Sequence, residues 1–125
     1  MKLVDTTIAV DHLRGAPAAV ELLTALADAG NDLVASELVR FELLAGVRTK
    51  ELAGLEDFCS ALRWAHVTED IARVAGQLAR QYRKSHSGIG AVDYLIAATA
   101  IVIDADLLTT NVRHFPMFSK LKRPY

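Results

Sequence analysis

Four short apolar runs alternate with helical stretches along this chain, and that alternation restricts the fold more than any other feature. The runs are Leu3-Val4, Leu33-Val34-Ala35, Ala65-His66-Val67 (led in by Trp64) and Leu107-Leu108-Thr109. Strand, helix, strand, helix in this order predicts an α/β fold whose parallel sheet is covered on both faces. Strands this short and this apolar belong to a small buried sheet. The segment from Lys120 to Tyr125 reads as a marginal fifth strand.

The helical stretches carry recognisable starts and stops. Ile8 to Leu13 forms a first stretch, and Gly15-Ala16-Pro17 breaks and restarts the chain, with Pro17 suited to a first helical turn. Ala18 to Ala29 follows, with Val20, Leu22, Leu23 and Leu26 as its apolar set and Gly30-Asn31 as its stop. Ser36 is an N-cap candidate for a helix running through Glu42 to Gly46. A further helix covers about Leu52 to Arg63. Thr68 caps the next, roughly Glu69 to Ser85, with Glu69 and Asp70 where the helix dipole favours acid. Ile71, Val74, Leu78 and Tyr82 form its apolar stripe; Arg73, Arg80, Arg83 and Lys84 form a basic opposite face. After Ser87-Gly88-Ile89-Gly90, a helix too apolar to be exposed runs from Ala91 to about Ile103.

The chain has 125 residues, enough for one domain with a real core and too few for two. A hydrophobic fraction of 52% excludes disorder as a reading. With 14 basic and 15 acidic residues, overall charge gives no evidence for a polyanionic partner, although a local basic rim could steer one. The lone Cys59 excludes an internal disulfide and a thiolate metal site, and reads as a core thiol. Met1-Lys2 leads directly into Leu3-Val4-Asp5, which does not resemble a signal peptide. The apolar run from Leu95 to Ile103 is too short for a membrane span. A reducing cytoplasm is the expected compartment.

Four polar side chains stand where strands should end or helices begin. They are Asp5 in LVDTT, Glu42 in SELVRFELLAG, Asp93 in GIGAVDYLIAATA and Asn111 in LLTTNVRHF. Ligands of open parallel sheets lie outside the carboxyl ends of the strands, so all four can face one edge. One buried carboxylate is costly, and three that converge require a cation. Oxygen donors without Cys or His favour Mg²⁺ or Mn²⁺ over zinc. Such an ion activates water for phosphodiester hydrolysis, with Asp5, Glu42 and Asp93 as direct or water-mediated ligands. Asn111 would orient a water without adding negative charge. Taken singly, Asp5 and Asp93 also fit helix caps, Glu42 a solvated helix face and Asn111 a turn. Glu37, five residues before Glu42, falls off that face and suits the helix dipole. His12 and His66 read as structural or exposed and His86 as a loop residue. His114, beside Arg113, is placed to reach a phosphate, and Phe115 to plug the core.

These motifs together resemble the PIN-domain ribonucleases, and more closely the VapC-like toxins of bacterial toxin–antitoxin pairs. Asp5 falls on the family's first acid with Thr6 as the adjacent hydroxyl, Glu42 on the second acid, and Asp93 on the third. Thr109 and Asn111 fall on the last motif, closed by His114-Phe115. The motifs span residues 3 to 115. Asn111 stands where many relatives have Asp. The resemblance implies an α/β/α sandwich with a mainly parallel sheet, forming one PIN-like domain over residues 1–125. It further implies Mg²⁺- or Mn²⁺-dependent endoribonuclease activity, a homodimer, a small cognate antitoxin, and translation arrest through cleavage of tRNA, rRNA or mRNA. Thr6, Thr109, Arg113 and His114 would support the site.

Two rival classes are open. Another metal-dependent phosphoesterase of the aspartyl-nucleophile kind would want Asp-x-Asp, where this chain has Asp5-Thr6-Thr7. A catalytically inactive RNA- or protein-binding module would have no need of three carboxylates. No Gly-rich phosphate loop follows the first strand.

Overall fold

A computed structural model describes all residues, 1–125. The chain alternates β1 (Lys2–Val4), α1 (Thr6–Leu13), α2 (Pro17–Asp28), β2 (Leu33–Ser36), α3 (Glu37–Gly46), α4 (Leu52–Ser60) and β3 (Arg63–Ala65). It continues through α5 (Glu69–Tyr82), α6 (Ala91–Val102) and β4 (Asp106–Leu108), with 3₁₀ turns at Thr49–Glu51 and Val112–His114.

The four strands form one parallel sheet in the order β3-β2-β1-β4. Chain order thus runs outward from β1 to β3, then returns to the far side of β1. Right-handed crossovers place α1 to α4 on one face and send α5 and α6 to the other. The packing agrees: α1 meets α2, α3 and α4, while α5 lies along α6. The result is the expected α/β/α sandwich. Its strand order reverses between β1 and β4, the place where such sheets open a crevice at the strand ends.

The main core joins Leu3, Val4, Val34 and Ala35 of the strands to Ile8, Leu23, Val39, Leu43, Leu55 and Phe58 of the first helical layer. Ile96, Ala97 and Ala100 of α6 meet it from the opposite face. A smaller cluster of Ile71, Ala75, Ala79, Tyr94 and Ala98 joins α5 to α6 through small side chains that let the helices approach closely. Cys59 is buried and free, as a core thiol should be.

Both expected hydroxyl caps form: Ser36 accepts from the Leu38 amide at 3.1 Å, and Thr68 from Ile71 at 3.2 Å. Gly30 takes φ +83° after α2, and the Asn31 amide donates back to the Leu26 carbonyl. Several boundaries differ from expectation for local reasons. Helix α4 stops at Ser60 because the Trp64 indole donates to the Cys59 carbonyl at 2.9 Å, and β3 begins early at Arg63. Strand β4 starts at Asp106, whose amide pairs with the Met1 carbonyl, and stops before Thr109. Helix α5 ends at Tyr82, and Ile101 and Val102 on the last turn of α6 are exposed.

The fifth strand does not form. Met117, Phe118 and Leu121 pack on the core instead, and the Tyr125 phenol donates to Asp11 at 2.7 Å. Burial and that carboxylate push the phenol up to about 12. No helix is long and apolar enough to cross a membrane.

Candidate active site

Asp5 ends β1 and opens α1, where its carbonyl receives the Ile8 and Ala9 amides at 3.1 and 3.2 Å. Its side chain makes no capping bond, which leaves the carboxylate to the crevice. It is only 4% exposed and has no cation partner in the chain. Oδ2 accepts the Thr109 hydroxyl at 2.7 Å and the Thr7 hydroxyl at 3.2 Å. Burial pushes the Asp5 pKa up, the Thr109 hydroxyl, Thr6 amide and Thr7 hydroxyl oppose it, and the charge of Asp93 raises it further.

The segment after β4 ties Asp93 to the same end of the sheet, since it bonds Asp5 through Thr109 and Asp93 through His114. Asp93 sits in the first turn of α6, half-buried, and its Oδ2 accepts from His114 Nδ1 at 2.9 Å and from the Gly90 amide at 3.4 Å. It therefore serves the helix terminus weakly and His114 strongly. Glu42 reaches the site from α3: its Oε1 accepts the Thr6 hydroxyl at 2.6 Å, tethering it to the residue beside Asp5. Successive positions on a helix diverge by about 100°. Thr6 therefore serves Glu42 while Thr7 serves Asp5, and Thr7 also accepts the Thr110 amide at 3.1 Å.

Asn111 is half-buried, and its side chain makes no hydrogen bond within the chain. Its amide donates to the Thr109 hydroxyl at 3.0 Å, so the turn is built by backbone and threonine and the Asn111 side chain is free for a ligand. Arg113 is exposed and forms no ion pair. Phe115 is 1% exposed and anchors the segment, as expected.

Hydrogen bonds through Thr6 and through the segment after β4 link the surroundings of Asp5, Glu42 and Asp93, but no group of three or more His, Cys, Asp and Glu side chains is placed to hold a metal ion. The donor set still suits a hard cation. Mg²⁺ retains several waters and takes one or two carboxylates rather than a full protein cage. A buried carboxylate with only hydroxyl and amide donors is the residue such an ion would neutralise.

Two features escape a reading of the sequence. Thr7 is the junction between Asp5, Thr109 and the Thr110 backbone. His114 holds Asp93 rather than projecting freely towards a phosphate. A hydroxyl after an acid and a His in the last motif were the only local signals. Elsewhere, His66 and His86 are exposed, and His12 packs on Phe58 with ring centroids 4.8 Å apart. Glu37 pairs with Arg40 at 2.6 Å, and Arg40 lies 4.0 Å from the Trp64 ring centroid.

The chain matches the PIN domain family model over residues 2–121. It is 72% identical to Ribonuclease VapC19 of Mycobacterium tuberculosis, with both chains covered in full. Ribonuclease VapC10 of the same organism is 46% identical over all of this chain and 93% of its own length. Among solved structures, a chain of a toxin–antitoxin complex from Klebsiella pneumoniae superposes with a TM-score of 0.84 at 23% identity, covering 100% of this chain and 98% of that one. VapBC2 from Rickettsia felis, bound to a promoter DNA fragment, gives 0.80 at 25% identity over 90% and 89% of the two chains. An acid at the end of β1, another at the start of α6, a tethered glutamate from α3, the family model over residues 2–121 and 72% and 46% identity to VapC proteins lead to one assignment: this chain belongs to the PIN-domain family, in its VapC-like branch.

Proposed function

We propose that residues 1–125 form a single metal-dependent endoribonuclease domain that hydrolyses RNA phosphodiester bonds and acts as the toxin of a toxin–antitoxin pair. One observation carries the chemistry. Asp5 is buried without a cation partner, bonded to Thr109 at the start of the segment whose His114 holds Asp93, with Glu42 tethered to the neighbouring Thr6. A bound Mg²⁺ or Mn²⁺ supplies a Lewis acid for the phosphate and lowers the pKa of a water. Asp5 and Asp93 would hold the ion, with Glu42 joining directly or through water. Thr109 and Thr7 fix the Asp5 carboxylate, and Thr6 fixes Glu42. Asn111 offers an uncharged amide for a water or a phosphate oxygen. Arg113, exposed beside the crevice, supplies a cation for an RNA phosphate, and the basic end of α5 at Arg80, Arg83 and Lys84 extends that rim.

A small antitoxin is the proposed protein partner. A groove of about 530 Å³ runs past Glu42 between α1, α3 and α4, lined by Val10, Leu13, Leu43, Val47 and Leu55 with Arg14, Arg48 and Lys50 at its rim. An amphipathic segment laid there could send a basic side chain to the carboxylates. Of the nearby apolar side chains, Leu43 and Phe58 are core, Trp64 is half-covered, and Leu44 is exposed. Homodimerisation and a cytoplasmic setting complete the reading.

The test is cleavage of total RNA by the partner-free chain with Mg²⁺, Mn²⁺ or chelator, mapped by end sequencing beside Asp93→Asn. Metal-dependent cuts at discrete sites, lost in the variant, are the expected result. Cleavage that persists in Asp93→Asn would sink the assignment of the site. A folded chain that neither cleaves RNA nor binds Mn²⁺ would favour the inactive binding module.

A further inference from the structure

One short segment after β4 grips both carboxylates that flank the sheet's switch point. At its start the Thr109 hydroxyl bonds Oδ2 of Asp5 at 2.7 Å, and at its end His114 Nδ1 bonds Oδ2 of Asp93 at 2.9 Å. The segment is internally braced. The Asn111 amide bonds Thr109, the Asn111 carbonyl accepts the His114 amide at 3.1 Å, and buried Phe115 seats the end in the core.

A carboxylate only accepts hydrogen bonds when ionised, so the shared proton belongs to His114 Nδ1. Asp93 also has a competing place to go. It lies in the first turn of α6, within 3.4 Å of the Gly90 amide, the donor that a capping acid would take fully. The shorter bond to His114 holds the carboxylate between the two donors. Both use Oδ2, and Oδ1 accepts from no group of the chain.

We propose that His114 is a positioning residue: together with the Gly90 amide it fixes Oδ2 of Asp93 and leaves Oδ1 of that carboxylate free for a cation. The proposal rests on the metal-dependent nuclease reading and adds to it a role for a residue that does not itself touch RNA. Partners that orient metal ligands from behind typically change metal affinity about 10- to 100-fold when removed.

The experiment compares wild type, His114→Ala and His114→Asn, because the asparagine amide can donate from near the position of Nδ1. Mn²⁺ affinity is measured by calorimetry without RNA, kcat and KM on a cleaved RNA, and Tm on each metal-free protein. The Ala variant is expected to bind Mn²⁺ about tenfold more weakly, with kcat reduced and KM for RNA unchanged. The Asn variant should recover most of both losses. Unchanged Mn²⁺ affinity in His114→Ala overturns the proposal. If KM for RNA rises at the same time and tracks salt, His114 is a phosphate contact instead. Equal impairment of both variants, accompanied by a fall in Tm, makes the residue merely structural and overturns it too. A wild type that cleaves RNA while His114→Ala matches it defeats this inference alone. A wild type that neither binds Mn²⁺ nor cleaves defeats the nuclease reading and the inference with it.

Discussion

Asp5 bears the cost of burial with only neutral donors to offset it. Its folded pKa is raised, chiefly by desolvation, so at neutral pH its ionised form opposes folding. An amide of the same shape avoids that cost and can still accept the Thr109 hydroxyl. Asp5→Asn should therefore raise the Tm of the metal-free chain while abolishing cleavage. Mg²⁺ should raise the wild-type Tm and leave that of the variant unmoved. Thermal scans with and without the ion check both statements, and a variant that melts lower in the metal-free state would show that the Asp5 charge is compensated. Stability and activity oppose each other at this one atom group, as expected where a site is built to receive a cation.

At the scale of elements, the 3₁₀ turn after β4 depends on one aromatic plug. Phe115 is buried and stacks on Phe118 at 6.5 Å between centroids. Phe115→Ala should cost about 3–5 kcal/mol, as large-to-small changes in cores do. It should also depress kcat at a temperature where the variant is still folded, because Thr109 and His114 share the plug. Urea unfolding and single-turnover cleavage separate the two effects; a destabilised variant with wild-type kcat would mean the turn does not need its plug. The elements themselves were readable because caps and periodicity are local. Ser36, Thr68 and Gly30 announce helix ends through chemistry within a few residues. The early end of α4 was not readable, since it follows from an indole five residues beyond the carbonyl it takes. The apolar set near Lys120 to Tyr125 suggested a strand but found the core and Asp11 instead. The site shows the same division. Position singled out Asp5, Glu42 and Asp93, whereas their partners lie 104, 36 and 21 residues away in sequence. Nothing in a local pattern records which hydroxyl or imidazole will meet which acid.

For the whole molecule, acid stability should hinge partly on His12. Its ring lies against Phe58 in the first helical layer, and Nδ1 is buried without a partner. Burial lowers its pKa from the ordinary 6.5. The folded state thus resists a proton that the unfolded chain accepts. Its contribution is complete above about 6.5 and is lost as pH falls through that value towards the lower folded pKa. Asp5 works in the opposite sense, its penalty easing as pH falls through its raised pKa. The two are separated by comparing wild type with His12→Phe in urea at pH 7.5 and 5.5. The variant should lose less stability on acidification, and equal losses would show that His12 titrates freely in the fold.

The pairing of β1 with β4 has a consequence in time as well as in space. Lys2 faces Asp106 and Val4 faces Leu108, so the first strand made waits for the last. Both grips on the carboxylates, Thr109 and His114, emerge later still. A chain still being synthesised therefore holds all three acids without the strand that closes the crevice or the turn that aims them. Domains fold as units. The proposed site is thus assembled only once β4 and the turn behind it have joined β1, so it forms late in the folding of residues 1–125.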